Sequence, residues 1–430
     1  MKLFGASKIK DNNLIIGGIE AIKLAENYGT PLYVMDEQLL IDKCRGYIKA
    51  FKVNEDKNRV AFAGKAFLTV EMCKLINNEG RYLDVVSGGE LYTAYKADFP
   101  MEKIYFHGNN KTIEEIELGI KLGVGRFVVD NLLEMSKINE IAEKYNKKQK
   151  IYLRLTPGIE AHTHDYIKTG QIDSKFGFAP VENIIMDAVK TAISLDNIIL
   201  VGLHCHIGSQ IFETEPFKDA AEVMLNFIDE IKQETGHIIE ELDLGGGFGI
   251  YYSSGDTPRE TEEYCKVILE SVDKTCSKLG LKKPILTIEP GRSIVANAGT
   301  TLYTIGSIKE IPNVRKYVAV DGGMTDNIRP ALYGAKYEAL VANKAEEIQN
   351  DRVTIAGKCC ESGDVLINDI DIQKAESGDI LAVLSTGAYG FSMASSYNKI
   401  LRPAVVFVRN GEAKIVVKRQ SYEDLIREEL

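Results

Sequence analysis

Eight apolar segments that alternate with amphipathic segments between residues 59 and 291 constrain the fold of this chain more than any other feature of its sequence. Each apolar segment is rich in β-branched or aromatic residues, and the first four begin about 22 residues apart. That spacing accommodates one strand, one turn and one helix, so the pattern predicts repeated βα units. The predicted strands lie in RVAFAGK (59–65), YLDVVSGG (82–89), KIYFHGN (103–109), RFVVDN (126–131), IYLRLTPG (151–158), LVGLHCHIG (200–208), LDLGGGFG (242–249) and ILTIEPG (285–291).

Residues that can carry chemistry lie where these predicted strands end. A (β/α)8 barrel brings the carboxyl ends of its eight strands to one mouth, and the active sites of such barrels lie there. The residues at or just beyond the eight ends are Lys65, Ser87, His107, Asp130, Arg154, His206, Gly245 to Gly247, Glu289 and Arg292. We therefore predict a (β/α)8 TIM-type barrel with its site at this mouth. A doubly wound open sheet is the alternative, but it would not need eight strand ends that converge.

After about residue 295 the apolar pattern changes to a period of two residues, which is typical of strands with one buried face. The segment AVVFVRNGEAKIVVKR predicts a hairpin with its turn at Asn410 and Gly411. The segment TPLYVMD, near the N-terminus, offers one more strand for the same sheet. The predicted fold class is α/β plus β, with a barrel of residues 36–292 and a second, mostly antiparallel β domain of residues 1–35 and 293–430.

The charge balance and the cysteine pattern exclude several classes of protein. The chain has 52 Lys and Arg against 62 Asp and Glu, a net charge of −10, which argues against a nucleic-acid or an anionic membrane partner. MKLFGASKIKDNN lacks the apolar core of a signal peptide and no apolar run is long enough to span a bilayer, so we expect a cytoplasmic protein. The seven cysteines include no CxxC pair, which predicts reduced thiols rather than disulfides or a structural zinc site.

Two of the strand ends offer groups that suit a cofactor with an aldehyde and a phosphate. Lys65 follows the first strand, where an amine at the barrel mouth among apolar neighbours can form a Schiff base; the alternative is a lysine that extends into solvent. Three consecutive glycines follow the seventh strand, and their backbone N–H groups can hold a phosphate. The alternative for the glycines is a tight βα turn.

Two further strand ends offer groups that suit an aromatic ring. Because side chains alternate along a strand, His204 and His206 both face the inside of the barrel. They could bind a metal, stack on a planar cofactor or form hydrogen bonds in the core, and we predict no metal because further ligands at other strand ends are missing. Glu289 and Arg292 could form a salt bridge, or they could pair with a ring nitrogen and bind an oxyanion.

Together these four signals converge on pyridoxal 5′-phosphate (PLP). The residues around them resemble the alanine-racemase-like, fold-type III group of PLP enzymes and, within it, the diaminopimelate decarboxylase family. The resemblance covers nearly the whole chain. It is carried by AFAGKAF around residue 65, DVVSGGEL (84–91), HTHDYIKTG (162–170), SKFGF (174–178), GLHCHIGSQ (202–210), DLGGGFG (243–249), EPGRS (289–293), RPALYGA (329–335), CESGD (360–364) and GAYGFSMASSYN (387–398).

The resemblance implies a role for each matched residue. It implies that Lys65 forms the Schiff base, that His206 stacks on the pyridine ring and that Glu289 pairs with the ring nitrogen. Cys360 would donate the proton that replaces the departing carboxylate. The implied cofactor-binding residues are Lys65, His206, Ser209, Gly245, Gly246, Gly247, Glu289, Arg292 and Tyr389. The implied substrate-binding residues are Arg292, Arg329, Tyr333, Glu361 and Tyr389.

The resemblance also implies a homodimer with shared active sites, in which one subunit supplies Cys360 and Glu361 to the site of the other. The chain departs from the family pattern at Lys358 and Cys359, which puts in doubt which neighbour supports Cys360. The implied activity is that of a carboxy-lyase that converts meso-2,6-diaminopimelate to L-lysine and CO2, the last step of lysine biosynthesis. The alternatives are a decarboxylase of another basic D- or L-amino acid, a racemase, a non-catalytic PLP-binding protein and a metal-dependent barrel hydrolase.

Overall fold

The computed structural model describes residues 1–159 and 173–430, which form two compact units. The barrel unit consists of Cys44–Gly249 and Pro258–Arg292, and the β unit consists of Met1–Lys43, Ile250–Thr257 and Ser293–Leu430. Residues 250–257 follow the seventh barrel strand in sequence but belong to the β unit, which the sequence pattern did not indicate. The motif HTHDYIKTG (162–170) lies outside the described residues.

Strands and helices alternate regularly only in the middle of the chain. The strands are β1 (Lys8–Lys10), β2 (Asn13–Ile16), β3 (Ile19–Glu20), β4 (Leu32–Asp36), β5 (Arg59–Ala63), β6 (Tyr82–Val85), β7 (Ile104–Phe106), β8 (Arg126–Val129), β9 (Gln149–Arg154), β10 (Ile198–His204), β11 (Glu241–Asp243), β12 (Ile285–Ile288), β13 (Gly299–Ile311), β14 (Arg315–Val320), β15 (Ala339–Val341), β16 (Asp351–Ala356), β17 (Val365–Ile372), β18 (Ile380–Leu384), β19 (Ala404–Arg409) and β20 (Glu412–Val417). The helices are α1 (Ala21–Tyr28), α2 (Glu37–Ala50), α3 (Val53–Asp56), α4 (Val70–Asn78), α5 (Gly88–Lys96), α6 (Ile113–Leu122), α7 (Leu132–Lys144), α8 (Ile184–Ser194), α9 (Glu215–Thr235), α10 (Thr261–Leu279), α11 (Arg292–Val295), α12 (Arg329–Tyr333) and α13 (Tyr422–Ile426). None of the helices within the described residues is long and apolar enough to cross a membrane.

The barrel unit contains a closed barrel of eight parallel strands, β5 to β12, in which each strand pairs with its neighbours in sequence and β12 pairs with β5. Each of the eight predicted segments contains one of these strands, so the predicted barrel is confirmed. Alternating side chains fill its interior, among them Tyr105, Tyr152 and Val128. The strand-to-helix turns are fixed by N-caps, since Ser87 caps α5 and Asn131 caps α7. Ser87, which lies at a predicted strand end, therefore serves as a helix cap.

The β unit contains one large sheet with the order β17-β16-β14-β13-β4-β19-β20, and β18 pairs with both β13 and β15. Most pairs are antiparallel, as predicted, while β14 with β16 and β4 with β19 are parallel. The strand predicted from TPLYVMD is β4, which lies between β13 and β19. The predicted hairpin is present as well, because Asn410 and Gly411 take φ values of 52° and 83° and connect β19 to β20.

Candidate active site

The mouth of the barrel holds a cluster of buried ionisable groups at the carboxyl ends of the strands. Its acidic members are Asp84 near the end of β6, Asp243 at the end of β11 and Glu289 just after β12. His107 follows β7, and His204 ends β10. All five residues are at most 6 % exposed. The barrel therefore brings together, in one buried place, groups that are up to 205 residues apart in sequence, from 84 to 289.

Glu289 lies at the centre of this cluster. One of its oxygens, Oε1, is 2.7 Å from Nε2 of His107, and the other, Oε2, is 3.3 Å from Nε2 of His204. The two imidazole rings meet edge to face, with their centroids 4.8 Å apart. The spacing of these three groups would also suit a metal ion. The set does not include His206, which was part of the metal alternative drawn from the sequence.

The charge of the cluster is concentrated on Glu289. Burial raises its pKa, but the interactions with His107 and His204 outweigh burial and hold the pKa well below its usual range. Burial raises the pKa of Asp84, and burial together with the charge of Glu289 raises the pKa of Asp243. Burial also lowers the pKa of His204 to about 3, so this ring is neutral. The barrel mouth thus keeps the Glu289 carboxylate ionised beside Asp84, Asp243 and His204, which favour their neutral forms.

The glycine-rich turn after β11 passes close to the backbone on both sides. A Cβ on Gly246 would lie 2.1 Å from the carbonyl oxygen of Glu289, and Gly247 has a φ of 109°, which favours glycine. The N–H of Gly245 donates to Asp243, and the N–H of Gly246 donates to Nδ1 of His206 at 3.3 Å. The glycines therefore form a tight βα turn, which the sequence analysis gave as their alternative role. The turn also orients the ring of His206.

His206 is partly buried, and its pKa is well below the usual value because of burial and the positive charges of Lys65 and Arg154. Since Nδ1 accepts a hydrogen bond, the neutral ring carries its proton on Nε2. Arg292 begins α11, is 7 % exposed and donates from Nη2 to Oγ of Ser209 at 2.8 Å. The structure thus brings together Ser209 and Arg292, which were both predicted to lie near the phosphate.

Lys65 does not lie in the apolar surroundings that the sequence suggested. It belongs to a 3-10 turn, Gly64–Ala66, directly after β5, and its side chain is exposed. Burial raises the pKa values of Asp84 and Glu90, and the charge of Lys65 opposes this rise; at His206, burial lowers the pKa and the charge of Lys65 lowers it further. The sequence placed this amine among apolar neighbours, whereas the structure exposes its side chain at the barrel mouth. The amine nevertheless lies electrostatically close to the groups of the barrel mouth.

The β unit holds a second cluster, in which four tyrosines surround one arginine. Arg329 begins α12, is 8 % exposed and donates from Nε to the hydroxyl of Tyr337 at 2.9 Å. Its guanidinium carbon lies 5.2 Å from the ring centre of Tyr389, 5.4 Å from that of Tyr333 and 6.0 Å from that of Tyr252. These distances are typical of cation–π contacts. Three of the predicted substrate-binding residues therefore lie together, while Tyr252 and Tyr337 were not predicted.

The other predicted residues of the β unit lie in the loop between β16 and β17. Cys360 and Glu361 are exposed, whereas the neighbouring Cys359 is buried, and burial raises its pKa to about 11. The N–H of Cys360 donates to Asn398 at 2.8 Å. Asp364, which is 3 % exposed, accepts the N–H of Cys359 at 2.7 Å and that of Met324 at 2.6 Å. These contacts hold the loop so that the Cys360 thiol faces solvent.

Comparisons with known proteins assign this chain to a family. Residues 38–296 match the family "Pyridoxal-dependent decarboxylase, pyridoxal binding domain". The chain is 52% identical over 431 residues to the diaminopimelate decarboxylase of Bacillus subtilis, with 100% of this chain and 98% of the relative covered. The chain belongs to the diaminopimelate decarboxylase family.

Other members of the family agree with this assignment over their whole length. The diaminopimelate decarboxylase of Bacillus methanolicus is 53% identical over 421 residues, with 98% of each chain covered. A crystal structure of the diaminopimelate decarboxylase of M. jannaschii in complex with L-lysine superimposes with a TM-score of 0.92 at 39% identity, and covers 99% of this chain and 97% of that chain. Both the barrel unit and the β unit are therefore features of this family.

The residues of the barrel mouth fit PLP, the cofactor after which the matched pyridoxal-dependent decarboxylase family is named. Glu289 Oε1 and His107 Nε2 are buried, and neither atom makes a well-aligned hydrogen bond within residues 1–159 and 173–430. A buried, ionised carboxylate oxygen without an aligned donor suits a protonated ring nitrogen. The guanidinium of Arg292 and the hydroxyl of Ser209, hydrogen-bonded to each other at 2.8 Å, are groups that suit a phosphate.

Several residues of the two clusters were not found from the sequence. Asp84 and Asp243 lie within predicted strands and were not considered as site residues. His107 was recognised as a strand end but received no role. Tyr252 could have been found only with knowledge that residues 250–257 join the β unit. A charged residue inside an otherwise apolar strand is the signal that could have identified Asp84 and Asp243.

Proposed function

We propose that this chain is a PLP-dependent carboxy-lyase that converts meso-2,6-diaminopimelate to L-lysine and CO2. Family membership supports the reaction class. The observation that carries the substrate assignment is the buried Arg329 within its cluster of tyrosines, because this substrate has a second carboxylate that ornithine and lysine lack. The homodimer with shared sites and the cytoplasmic location remain predictions from the sequence.

The barrel unit supplies the groups that hold the cofactor. Lys65 would bind the aldehyde of PLP covalently, His206 would stack on its ring, and Ser209, Arg292 and the backbone of Gly247 would hold its phosphate. When bound, PLP withdraws the electron pair that the departing carboxylate leaves behind. Glu289 makes this withdrawal effective, since an ionised carboxylate keeps a ring nitrogen protonated. A racemase of this fold would be expected to place an arginine there.

The β unit supplies the groups that select the substrate. Arg329 offers two parallel N–H donors to the distal carboxylate, and Glu361 offers an acceptor to the distal ammonium. Tyr333 and Tyr389 flank the arginine and narrow the space for its ligand. Arg292 and Tyr389 are proposed to contact the substrate as well as the phosphate end of the cofactor. A substrate with one distal ammonium and no distal carboxylate would leave Arg329 buried without an anionic partner, and this disfavours such a substrate.

Cys360 donates the proton that replaces CO2 at the α-carbon. General acid catalysis of this kind contributes about 10²- to 10⁴-fold to a rate, so we expect Cys360→Ala to bind PLP normally and to lose about that factor in kcat. Cys359→Ala is the matched control, because the neighbouring thiol is buried and has a pKa of about 11. Equal kcat values for Cys360→Ala and the unaltered protein would rule out Cys360 as the acid.

The decisive experiment measures lysine and CO2 from meso-diaminopimelate, with and without added PLP. Ornithine, arginine and lysine serve as competing substrates, and Lys65→Ala serves as the cofactor control. Turnover of meso-diaminopimelate alone supports both the reaction and the specificity. Turnover of another amino acid would keep the cofactor chemistry but refute the role of Arg329. Absence of turnover with every substrate would favour a non-catalytic PLP-binding protein or a racemase, and stoichiometric metal in such an inactive protein would favour the hydrolase alternative.

A further inference from the structure

The Glu289 carboxylate is flanked by two histidines that the proposed mechanism does not use. His107 is the closer of the two, with 2.7 Å between its Nε2 and Oε1 of Glu289, compared with 3.3 Å for His204. Both imidazoles are buried, with 7% and 1% of their side chains exposed. Each ring presents its Nε2 to a different oxygen of the carboxylate.

The surroundings of His107 restrict where its ring can point. Its backbone N–H donates to the carbonyl of Val85 at 2.8 Å, which continues the pairing of β7 with β6 beyond the end of the strand. On its other side, Nε2 lies 3.8 Å from Oδ1 of Asp84. Burial raises the pKa of Asp84, which favours its neutral form, so the charged Glu289, 2.7 Å away, attracts the imidazole of His107 more strongly than Asp84 does. The ring of His107 therefore lies between a weak partner, Asp84, and a strong one, Glu289.

We infer that His107 is a positioning residue that fixes the orientation of the Glu289 carboxylate toward the ring nitrogen of the cofactor. This inference rests on the proposed function. The terminal torsion of a glutamate is broad, so an unheld carboxylate can rotate at little cost. His107 contacts Oε1 at 2.7 Å and His204 contacts Oε2 at 3.3 Å, and these two contacts limit the rotation of the carboxylate. Loss of the His107 contact would weaken the interaction between Glu289 and a protonated ring nitrogen, while Glu289 would keep its negative charge.

The test compares His107→Gln with His107→Leu. Glutamine can still donate an N–H to Glu289, while leucine has a similar volume and no donor. The readouts are the Kd for PLP, the absorption band of the bound cofactor without substrate, and the separate values of kcat and KM. His237→Asn is the control, because His237 lies after α9 and contacts the carbonyl of Leu200.

For His107→Leu, which removes the 2.7 Å contact with Glu289, we expect the Kd for PLP to rise about tenfold and the absorption band of the bound cofactor to shift. We also expect kcat to fall at least about tenfold, KM to stay within about twofold, and His107→Gln to recover most of each loss. Unchanged affinity, band and kcat in His107→Leu would overturn the inference, and so would equal losses in the leucine and glutamine variants.

These outcomes separate the inference from the proposed function. If the unaltered protein binds PLP but does not decarboxylate meso-diaminopimelate, the proposed function fails while the Kd and the band still test His107. If the unaltered protein decarboxylates meso-diaminopimelate and His107→Leu matches it in every readout, only the inference fails.

Discussion

Glu241 is predicted to stabilise the barrel without contributing to its chemistry. It begins β11, at the end of the barrel opposite the candidate site, and only 8% of its side chain is exposed. Its carboxylate accepts two hydrogen bonds from Arg126, both at 2.7 Å, and one from Arg59 at 2.9 Å. The hydroxyl of Tyr152 donates a fourth at 2.6 Å. One carboxylate thus joins the starts of three strands, β5, β8 and β11, and also binds Tyr152 in the middle of β9.

The size of this contribution follows from the proton equilibrium. Hydrogen bonds from Arg126 and Arg59 outweigh the effect of burial and lower the pKa of Glu241 from 4.5 to about 2. At about 1.4 kcal/mol for each tenfold change in the equilibrium, this lowering corresponds to about 3 kcal/mol of folding free energy. Because the pKa is lower in the folded state, the contribution is complete above about pH 4.5 and is lost as the pH falls toward 2. The change Glu241→Gln should cost about 3 to 5 kcal/mol, since it leaves two buried guanidinium groups without a charged partner.

Urea unfolding followed by far-ultraviolet circular dichroism measures this cost, because the chain has no tryptophan to report on it. Glu270→Gln makes the same chemical change in an exposed pair with Lys266, at 3.9 Å, and should cost less than about 1 kcal/mol. KM and kcat of Glu241→Gln, measured at a temperature where it is folded, should match those of the unaltered protein. A loss in unfolding free energy no larger than that of Glu270→Gln would refute the reasoning.

Two further predictions concern the candidate site. Tyr337→Phe removes the hydroxyl that accepts Nε of Arg329 at 2.9 Å, so we expect KM for meso-diaminopimelate to rise about tenfold while kcat changes little, as steady-state kinetics would show. An equal fall in kcat would contradict a role in holding Arg329. In Gly246→Ala the new Cβ would lie 2.1 Å from the carbonyl oxygen of Glu289, so we expect equilibrium dialysis to detect at least about tenfold weaker PLP binding. Gly46→Ala, which has no neighbour within 4 Å, is the control and should bind normally.

The barrel could be predicted from the sequence because each of its strands can be recognised from the residues of that strand alone. Each of the eight strands is a run of apolar, mostly β-branched or aromatic residues, and parallel strands that are buried on both faces need such runs. The hairpin at Asn410 and Gly411 was equally local, since that pair favours a turn with positive φ at both positions. The assignment of residues 250–257 to the β unit could not be predicted, because it depends on long-range contacts such as that of Tyr251 with Glu338 at 2.8 Å.

The candidate site was only partly predictable for a related reason. Strand ends indicated Glu289 and His206, but not which groups would lie within hydrogen-bonding distance of them. The contact of Glu289 with His107 depends on the register of four strands from β12 through β7, and a shift of one residue would turn His107 away from the mouth. The exposure of Lys65 depends on the 3-10 turn that carries it, for which an alternating pattern of apolar residues contains no signal.

The two ends of the barrel divide stability from chemistry. Strand β11 carries Glu241 at its start and Asp243 at its end, so roughly 7 Å of strand separates the ion-pair network from the cluster around Glu289. Arg59 likewise begins β5, the strand that leads to Lys65. The ion-pair network around Glu241 holds the strands at the end of the barrel where no reaction takes place. By fixing the strands, it also helps to position the residues at their other ends. A change in the network should therefore lower the free energy of unfolding before it alters catalysis, whereas a change beside Glu289 should have the opposite order of effects.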